Sequence, residues 1–115
     1  MNFKYRLEKR ILNDVLFVKN GQHFVRIRIS EIDFVKSRGN NVEIHCGNEE
    51  RVVKETLKKI QSRLDASLFF RVHRSYIVNM QKIERIGSNM LQVGEAEIPI
   101  IKQNKEHLLR LLNAL

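Results

Sequence analysis

Apolar and polar residues alternate with a period of two over most of the chain from residue 14 onward, a pattern typical of β-strands that bury one face. Dipeptides such as Asn20-Gly21 and Gly47-Asn48 separate these runs and predict tight turns. The runs that predict strands are residues 15–18, 24–29, 32–36, 42–46, 50–53, 82–86, 90–93 and 96–100. Many short strands joined by turns indicate a mostly antiparallel β protein.

A helical period replaces the alternation in two places. Thr56 predicts the N-cap of a short helix with Leu57, Ile60 and Leu64 on one face. Residues 104–115 predict a second helix, whose broad apolar face is formed by Leu108, Leu109, Leu111 and Leu112. The expected fold class is therefore mostly β with minor α, with one short mid-chain helix and one C-terminal helix.

The length of 115 residues suits a single domain. Residues 14–115 are expected to form that domain, and residues 1–13 are expected to be a lead-in or a short charged helix. We see no apolar run long enough to span a bilayer and no signal peptide, so we expect a cytoplasmic protein. The single Cys46 agrees with a reducing compartment and is expected to be a half-buried thiol.

The charge balance favours a polyanionic partner. Twenty-one basic and thirteen acidic residues give a net charge of +8, which points to nucleic acid first and to an acidic membrane surface second.

Catalysis and metal binding find little support. The carboxylates do not cluster, the five glycines are isolated turn residues, and the histidines lack the spacing of metal sites. We therefore predict no catalytic residue, no metal site and no cofactor. His45 is expected to be a solvated surface group, and His73 is expected to fix a loop through a hydrogen bond to the backbone.

One stretch stands out for its crowding of polar groups between apolar anchors. Residues 69–79 read FFRVHRSYIVN, in which Arg71, His73, Arg74 and Ser75 supply donors beside core-forming side chains. A rigid support that presents guanidinium groups suits recognition of an anion or of base edges.

Two further segments are basic and rich in amides. Residues 36–41 carry four candidate contacts at a predicted strand junction, where Gly39 permits a positive φ. These candidates are Lys36, Arg38, Asn40 and Asn41. Residues 102–105 predict a third loop, and they carry Lys102, Gln103 and Asn104 where a helix N-terminus can hold a phosphate. The alternative for Asn104 is a simple helix cap.

Residues 69–79, followed by Lys82-Ile83, closely resemble the signature of the LytTR-type DNA-binding domain of bacterial response regulators. The resemblance extends from about residue 15 to residue 112. It includes residues 32–35, Thr56-Leu57, residues 98–100 before a basic residue, and the final leucine-rich helix.

The resemblance implies an elongated β-rich fold in which loops, rather than a helix, enter successive major grooves. The family's base-contacting positions carry over to Asn41, Arg74 and Lys102. The third position is commonly arginine in the family, and lysine lacks the planar bidentate fork. Lys102 is therefore expected to favour phosphate over base. The first position varies in the family, so the base that Asn41 reads stays open.

The sequence thus predicts sequence-specific binding to double-stranded promoter DNA by a bacterial transcription regulator. Arg74 is the expected principal base reader, while His73 and Asn79 brace the loops. Secondary or phosphate contacts are expected from Lys36, Arg38, Asn40, Arg71, Ser75, Gln103 and Asn104. The alternatives are RNA or nonspecific nucleic-acid binding and a protein-interaction module. Single-strand binding is disfavoured because the phenylalanines mostly fall in the core-facing phase.

The expected partners besides DNA are RNA polymerase, a second copy on paired sites, and an upstream receiver or sensor domain if the chain is a fragment. No membrane partner is expected.

Overall fold

The structure is a computed structural model that describes residues 14–115, so the predicted lead-in at residues 1–13 lies outside the described residues. Its strands are β1 (Val15–Asn20), β2 (His23–Arg28), β3 (Phe34–Arg38), β4 (Asn41–Cys46), β5 (Glu49–Val53), β6 (Phe69–His73), β7 (Tyr76–Asn79), β8 (Ile83–Ile86), β9 (Met90–Val93) and β10 (Ala96–Pro99). Its α-helices are α1 (Leu57–Gln61) and α2 (Lys102–Leu111). The chain is mostly β with minor α, as predicted.

A five-stranded antiparallel sheet forms the centre, in the strand order β5-β4-β3-β7-β6. Strand alternation gives this sheet two apolar faces: Val35 pairs with Ile77, and Phe34 pairs with Val78 one step along. The first pair joins one core cluster and the second pair joins another. Since both faces must be covered, the remaining elements divide between them.

The β1–β2 hairpin and α1 cover the first face. Thr56 caps α1 as predicted, because its Oγ1 accepts a hydrogen bond of 3.1 Å from the Lys59 N–H. Leu57, Ile60 and Leu64 are all buried against the sheet, which confirms the predicted apolar face. The cluster also takes in Val18 and Ile27 from the hairpin.

A three-stranded sheet, in the order β10-β9-β8, and helix α2 cover the second face. Leu91, Ile98 and Leu108 are fully buried there. The principal extents of 44 × 35 × 23 Å fit the elongated arrangement of small sheets that the resemblance implies. Pro99 ends the edge strand β10, where its missing N–H costs no ladder bond.

Several details differ from expectation. Helix α2 begins at Lys102 and ends at Leu111, so residues 102–105 are its first turn and not a loop. Leu111 is 52% exposed and lies outside the apolar face. Phe17 and Phe24 are also exposed, because the alternation of the hairpin turns Val18 and Val25 toward the core instead.

His45 is half-buried, in contrast to the predicted solvated position. Its ring stacks on Phe34 with centroids 4.2 Å apart. Cys46 is half-buried as predicted, and burial raises the pKa of its thiol to about 11, so the thiol is protonated at neutral pH. Among residues 14–115, no helix is both long and apolar enough to cross a bilayer.

Candidate nucleic-acid interface

Two turns of the five-stranded sheet lie side by side at one end. Strand β7 runs antiparallel to β3 with Tyr76 opposite Lys36, so the β6–β7 turn sits beside the end of β3. The Ser37 N–H, near the end of β3, donates a hydrogen bond of 2.9 Å to the Ser75 carbonyl oxygen and joins β3 directly to the β6–β7 turn. The strand pairing thereby sets the spacing of the first and second predicted segments.

The β6–β7 turn is held by its own side chains. Nδ1 of His73 accepts a hydrogen bond of 3.1 Å from the Ser75 N–H, which confirms the predicted bracing role of this histidine. Nη2 of Arg71 donates to the Arg74 carbonyl oxygen at 2.6 Å. A register shift between residues 71 and 73 accommodates the turn. Arg74 itself is exposed, and within residues 14–115 its guanidinium makes no hydrogen bond or ion pair.

Arg71 links this turn to helix α1. Its Nη1 donates a hydrogen bond of 3.2 Å to Oε1 of Gln61, while Nη2 holds the Arg74 carbonyl. The side chain is half-buried. Two of its N–H donors are therefore used within the protein. The predicted contact from Arg71 to DNA would have to use its remaining N–H donors.

The start of α2 supplies the third segment. Ile101 is the N-cap and makes no side-chain hydrogen bond to the first turn, so the first backbone N–H groups of the helix have no side-chain cap from this residue. Lys102 and Gln103 are exposed. Asn104 is not the cap: its Nδ2 donates a hydrogen bond of 2.9 Å to the Val72 carbonyl oxygen. This bond fixes α2 beside the end of β6, next to the turn that carries Arg74.

The first segment is a two-residue turn between β3 and β4. Gly39 adopts a φ of 59°, the left-handed conformation expected of it. Asn40 is exposed at the tip, and Asn41 is half-buried at the start of β4. Lys36 lies further down β3, with its Nζ 5.8 Å from the centre of the Tyr76 ring. This cation–π contact holds the ammonium group over the residue that lies opposite Lys36 in β7.

A carboxylate pair holds Arg38. Nη1 of Arg38 lies 3.2 Å from Oε2 of Glu43 and 3.8 Å from Oε1 of Glu50, and the guanidinium side chain is 63% exposed. Nε2 of His45 lies 3.0 Å from Oε1 of Glu43. The hydrogen bond with His45, together with nearby Lys36 and Arg38, lowers the pKa of Glu43 below its ordinary value of 4.5, against the opposing effect of burial.

The same group is the one place, within the part of the chain described, where three metal-ligating side chains converge. Glu43, His45 and Glu50 offer atoms within 4.8 Å of one another. Arg38 already supplies the positive charge between the two carboxylates. We assign no metal to it.

Asn79 does not brace the predicted loops, because it lies at the end of β7 away from the β6–β7 turn and bonds to other segments. It is fully buried, and its Nδ2 donates to the Ile32 carbonyl oxygen at 2.9 Å. Its Oδ1 accepts a hydrogen bond of 3.0 Å from the Gln81 N–H. Both ends of the amide are therefore used inside the protein, which excludes Asn79 from the surface.

The structure thus brings the three predicted segments to one end of the central sheet, in the order β3–β4 turn, β6–β7 turn and start of α2. The ten predicted contact residues fall on these segments and the strands beside them. Sequence reasoning missed the hydrogen bond from Asn104 to Val72 and the ion pair between Glu43 and Arg38, because each joins residues that lie on different elements.

Comparison with known protein families gives a match over nearly the same residues as the described domain. Residues 12–113 match the family model described as the LytTr DNA-binding domain. The chain is 36% identical over 74 residues to the sensory transduction protein LytT of Oceanobacillus iheyensis, covering 64% of this chain and 30% of that protein. It is 26% identical over 99 residues to the protein LytT of Bacillus subtilis, covering 81% of this chain and 41% of that protein.

An uncharacterised response regulatory protein of Vibrio cholerae is 22% identical over 94 residues, covering 74% of this chain and 36% of that protein. The chain therefore spans well under half the length of these relatives. A solved LytTr DNA-binding domain from Bacillus cereus superposes with a TM-score of 0.73 at 19% identity, covering 86% of this chain and 96% of that one. At this identity the likeness concerns the fold.

Proposed function

This chain belongs to the LytTr DNA-binding domain family, and we propose that it binds double-stranded promoter DNA sequence-specifically, as part of a bacterial transcription regulator. The family is one of DNA-binding domains and not of enzymes. In this proposal the β3–β4 turn, the β6–β7 turn and the start of α2 enter successive major grooves.

The observation that carries the proposal is the arrangement of these three segments along one end of a rigid sheet. A hydrogen bond from Ser37 to Ser75 joins the first to the second, and one from Asn104 to Val72 joins the third to the second. A fixed spacing matters because neighbouring grooves lie at fixed positions on a duplex. The net charge of +8 adds attraction to the phosphate backbone.

Arg74 is the principal base reader in this proposal. Hydrogen bonds of His73 and Arg71 hold the backbone of the turn, so the Arg74 side chain extends from a fixed position. Two parallel donors of a guanidinium match O6 and N7 of guanine. Lys102 carries a point charge without that fork, so we assign it to phosphate, while Asn41 contacts a base whose identity stays open.

The remaining residues in the proposal make phosphate contacts or secondary contacts to base edges. The uncapped N–H groups of α2 favour a phosphate near Lys102 and Gln103. Arg38 is partly neutralised by Glu43 and Glu50, so we expect it to contribute less than Arg74. The other residues in this class are Lys36, Asn40, Arg71, Ser75 and Asn104.

The partners in the proposal, besides DNA, are RNA polymerase, a second copy on paired sites, and a receiver or sensor domain of the same regulator. A cytoplasmic location belongs to the same proposal. The curated relatives are longer than this chain, so these partners concern the regulator as a whole.

The test begins with selection of bound duplexes from a random pool, which reports sequence preference and site spacing. Arg74→Ala is then compared with Arg26→Ala, which removes an exposed arginine from the hairpin on the other face of the sheet. On the selected duplex, Arg74→Ala is expected to cost about 1–3 kcal/mol and to relax preference at one base pair. Unchanged affinity and preference would show that Arg74 does not read a base.

Lys102→Ala separates phosphate from base contact. It is expected to weaken binding to the selected duplex and to unrelated duplexes by similar factors. It is also expected to reduce the slope of log affinity against log salt concentration by about 1. Competition with single-stranded RNA over a salt series distinguishes duplex recognition from the RNA alternative. RNA that competes as well as the selected duplex would contradict the proposed function.

A further inference from the structure

A groove of about 360 Å³ lies on the side of the central sheet that faces away from α2. The β1–β2 hairpin forms one wall, and the end of β5 and helix α1 form the other. Val53 and Ile60 are among the lining residues and are buried members of the first core cluster. The groove therefore has an apolar base that continues the hydrophobic core toward solvent.

Two phenylalanines of the hairpin border this groove. Phe17 is 56% exposed and Phe24 is 65% exposed, although both line the groove. The hairpin register places Phe17 opposite Arg26 and Phe24 opposite Lys19, so both rings share the outward face of the hairpin with cations. Two exposed aromatic side chains on adjacent strands are typical of an interaction surface.

Two strands that are each paired on one side reach the groove: β1 along residues 16–19, and β5 only at its last residue, Val53. Within residues 14–115, β1 pairs with β2 alone, and β5 pairs with β4 alone. Residues of both strands line the groove. An edge strand offers backbone N–H and C=O groups to an added strand, which is one of the common modes of peptide recognition.

The charge around the groove has one dominant sign. Four cationic residues and one acidic residue line it, and the acidic residue, Glu55, lies 3.7 Å from Lys59 in an ion pair. The cationic residues are Lys19, Lys54, Lys59 and Arg63. An occupant with acidic side chains would be attracted, and a basic occupant would be repelled.

We propose that this groove binds an extended segment of a partner protein in which acidic and apolar residues alternate. In an added strand, alternate side chains point to opposite sides. Apolar side chains on one side of the added strand would then pack on Phe17 and Phe24, which share the outward face of the hairpin. Acidic side chains on the other side would lie toward Lys59 and Arg63 at the wall formed by α1. This site goes beyond DNA binding, because the groove and the three DNA-contacting segments are built from different elements, with α2 on the opposite face of the sheet.

The charges disfavour the other protein occupants. Residues 1–13 of this chain carry four basic side chains and one acidic side chain. A second copy of the chain brings a net charge of +8. Neither complements a cationic groove as an acidic segment does.

The test uses the full chain and a fluorescent synthetic peptide that alternates Glu and Leu, with an alternating Lys–Leu peptide of the same length for comparison. The variants are Phe17→Ser with Phe24→Ser, and Lys59→Glu with Arg63→Glu. The matched controls are Val52→Ser, which truncates another exposed apolar residue, and Lys58→Glu on the same helix but outside the groove. Denaturation midpoints confirm that each variant is folded.

The Glu–Leu peptide is expected to bind in preference to the Lys–Leu peptide. Each double variant is expected to weaken binding at least about tenfold, and the controls are expected to leave it within about twofold. Equal binding of both peptides would overturn the proposal, as would double variants that behave like the controls. Complete displacement of the Glu–Leu peptide by anionic phospholipid vesicles or by single-stranded DNA would also overturn it and assign the face to that ligand.

Discussion

Nδ2 of Asn104 donates a hydrogen bond of 2.9 Å to the Val72 carbonyl oxygen, across 32 positions of sequence. Val72 lies near the end of β6, and Asn104 lies in the first turn of α2. This bond is a direct polar link between the helix and the strand that leads into the Arg74 turn. It therefore fixes the start of α2, which carries Lys102, relative to the turn that carries Arg74.

Removing this link should destabilise the domain. Asn104→Ala leaves the Val72 carbonyl without its partner, which costs about 1–3 kcal/mol. Alanine returns a few tenths of a kcal/mol through its higher helix propensity. We expect the free energy of unfolding in urea to fall by about 1 kcal/mol. Gln103→Ala, in the same turn but exposed, should leave it unchanged, and equal effects of the two variants would contradict the role of Asn104.

Arg71 and Arg74 should respond differently to truncation. Arg71→Ala removes the hydrogen bonds to Gln61 and to the Arg74 carbonyl, so we expect the free energy of unfolding to fall by about 1–2 kcal/mol. Arg74→Ala removes an exposed side chain and should change it by less than about 0.5 kcal/mol. Thermal or urea denaturation measures both. A stability loss for Arg74→Ala that matched Arg71→Ala would mean that Arg74 is structural.

The buried amide of Asn79 should be among the most sensitive polar positions. Asn79→Ala leaves the buried Ile32 carbonyl unsatisfied and removes the cap of the part-buried Gln81 N–H, so we expect a loss of about 2–3 kcal/mol. Urea denaturation with an unchanged m-value measures it. Asn48→Ala, in an exposed turn, is the matched control and should have little effect.

Glu43 should make stability depend on pH in the acid range. Its hydrogen bond with His45 and its neighbouring cations lower its pKa in the folded protein below the ordinary 4.5. A lowered folded pKa means that the stabilisation is fully present above 4.5 and is lost as the pH falls through the folded value. Glu43→Gln should therefore be less stable than the native protein at neutral pH, by about 1 kcal/mol.

The difference between Glu43→Gln and the native protein should shrink as the pH falls below 4.5 and through the lowered folded pKa, since Glu43 then becomes neutral like glutamine. Urea denaturation at a series of pH values measures it. Glu84→Gln alters an exposed carboxylate on β8 and provides the control. A Glu43→Gln difference that stayed constant down to the acid limit would show that the charge of Glu43 contributes nothing to stability.

The local elements of the fold could be predicted because each is encoded over a few neighbouring residues. Period-two alternation marked the strands, Gly39 marked a turn with positive φ, and Thr56 marked the start of α1. The signature in residues 69–79 marked the turn that carries Arg74. The start of α2 was misplaced because Ile101 caps it without a side-chain hydrogen bond, so the usual cap signal is absent there.

Composition and alternation were enough to establish a basic, mostly β chain with three polar segments, since side-chain hydrophobicity and turn preference act over short distances. They did not establish which segments are neighbours. Strand pairing set Ser37 against Ser75, and packing of α2 set Asn104 against Val72. The exposure of Phe17 and Phe24 likewise follows from which hairpin face meets the central sheet. Such contacts depend on how both apolar faces of the central sheet are buried at once, and this cannot be predicted from a local sequence pattern.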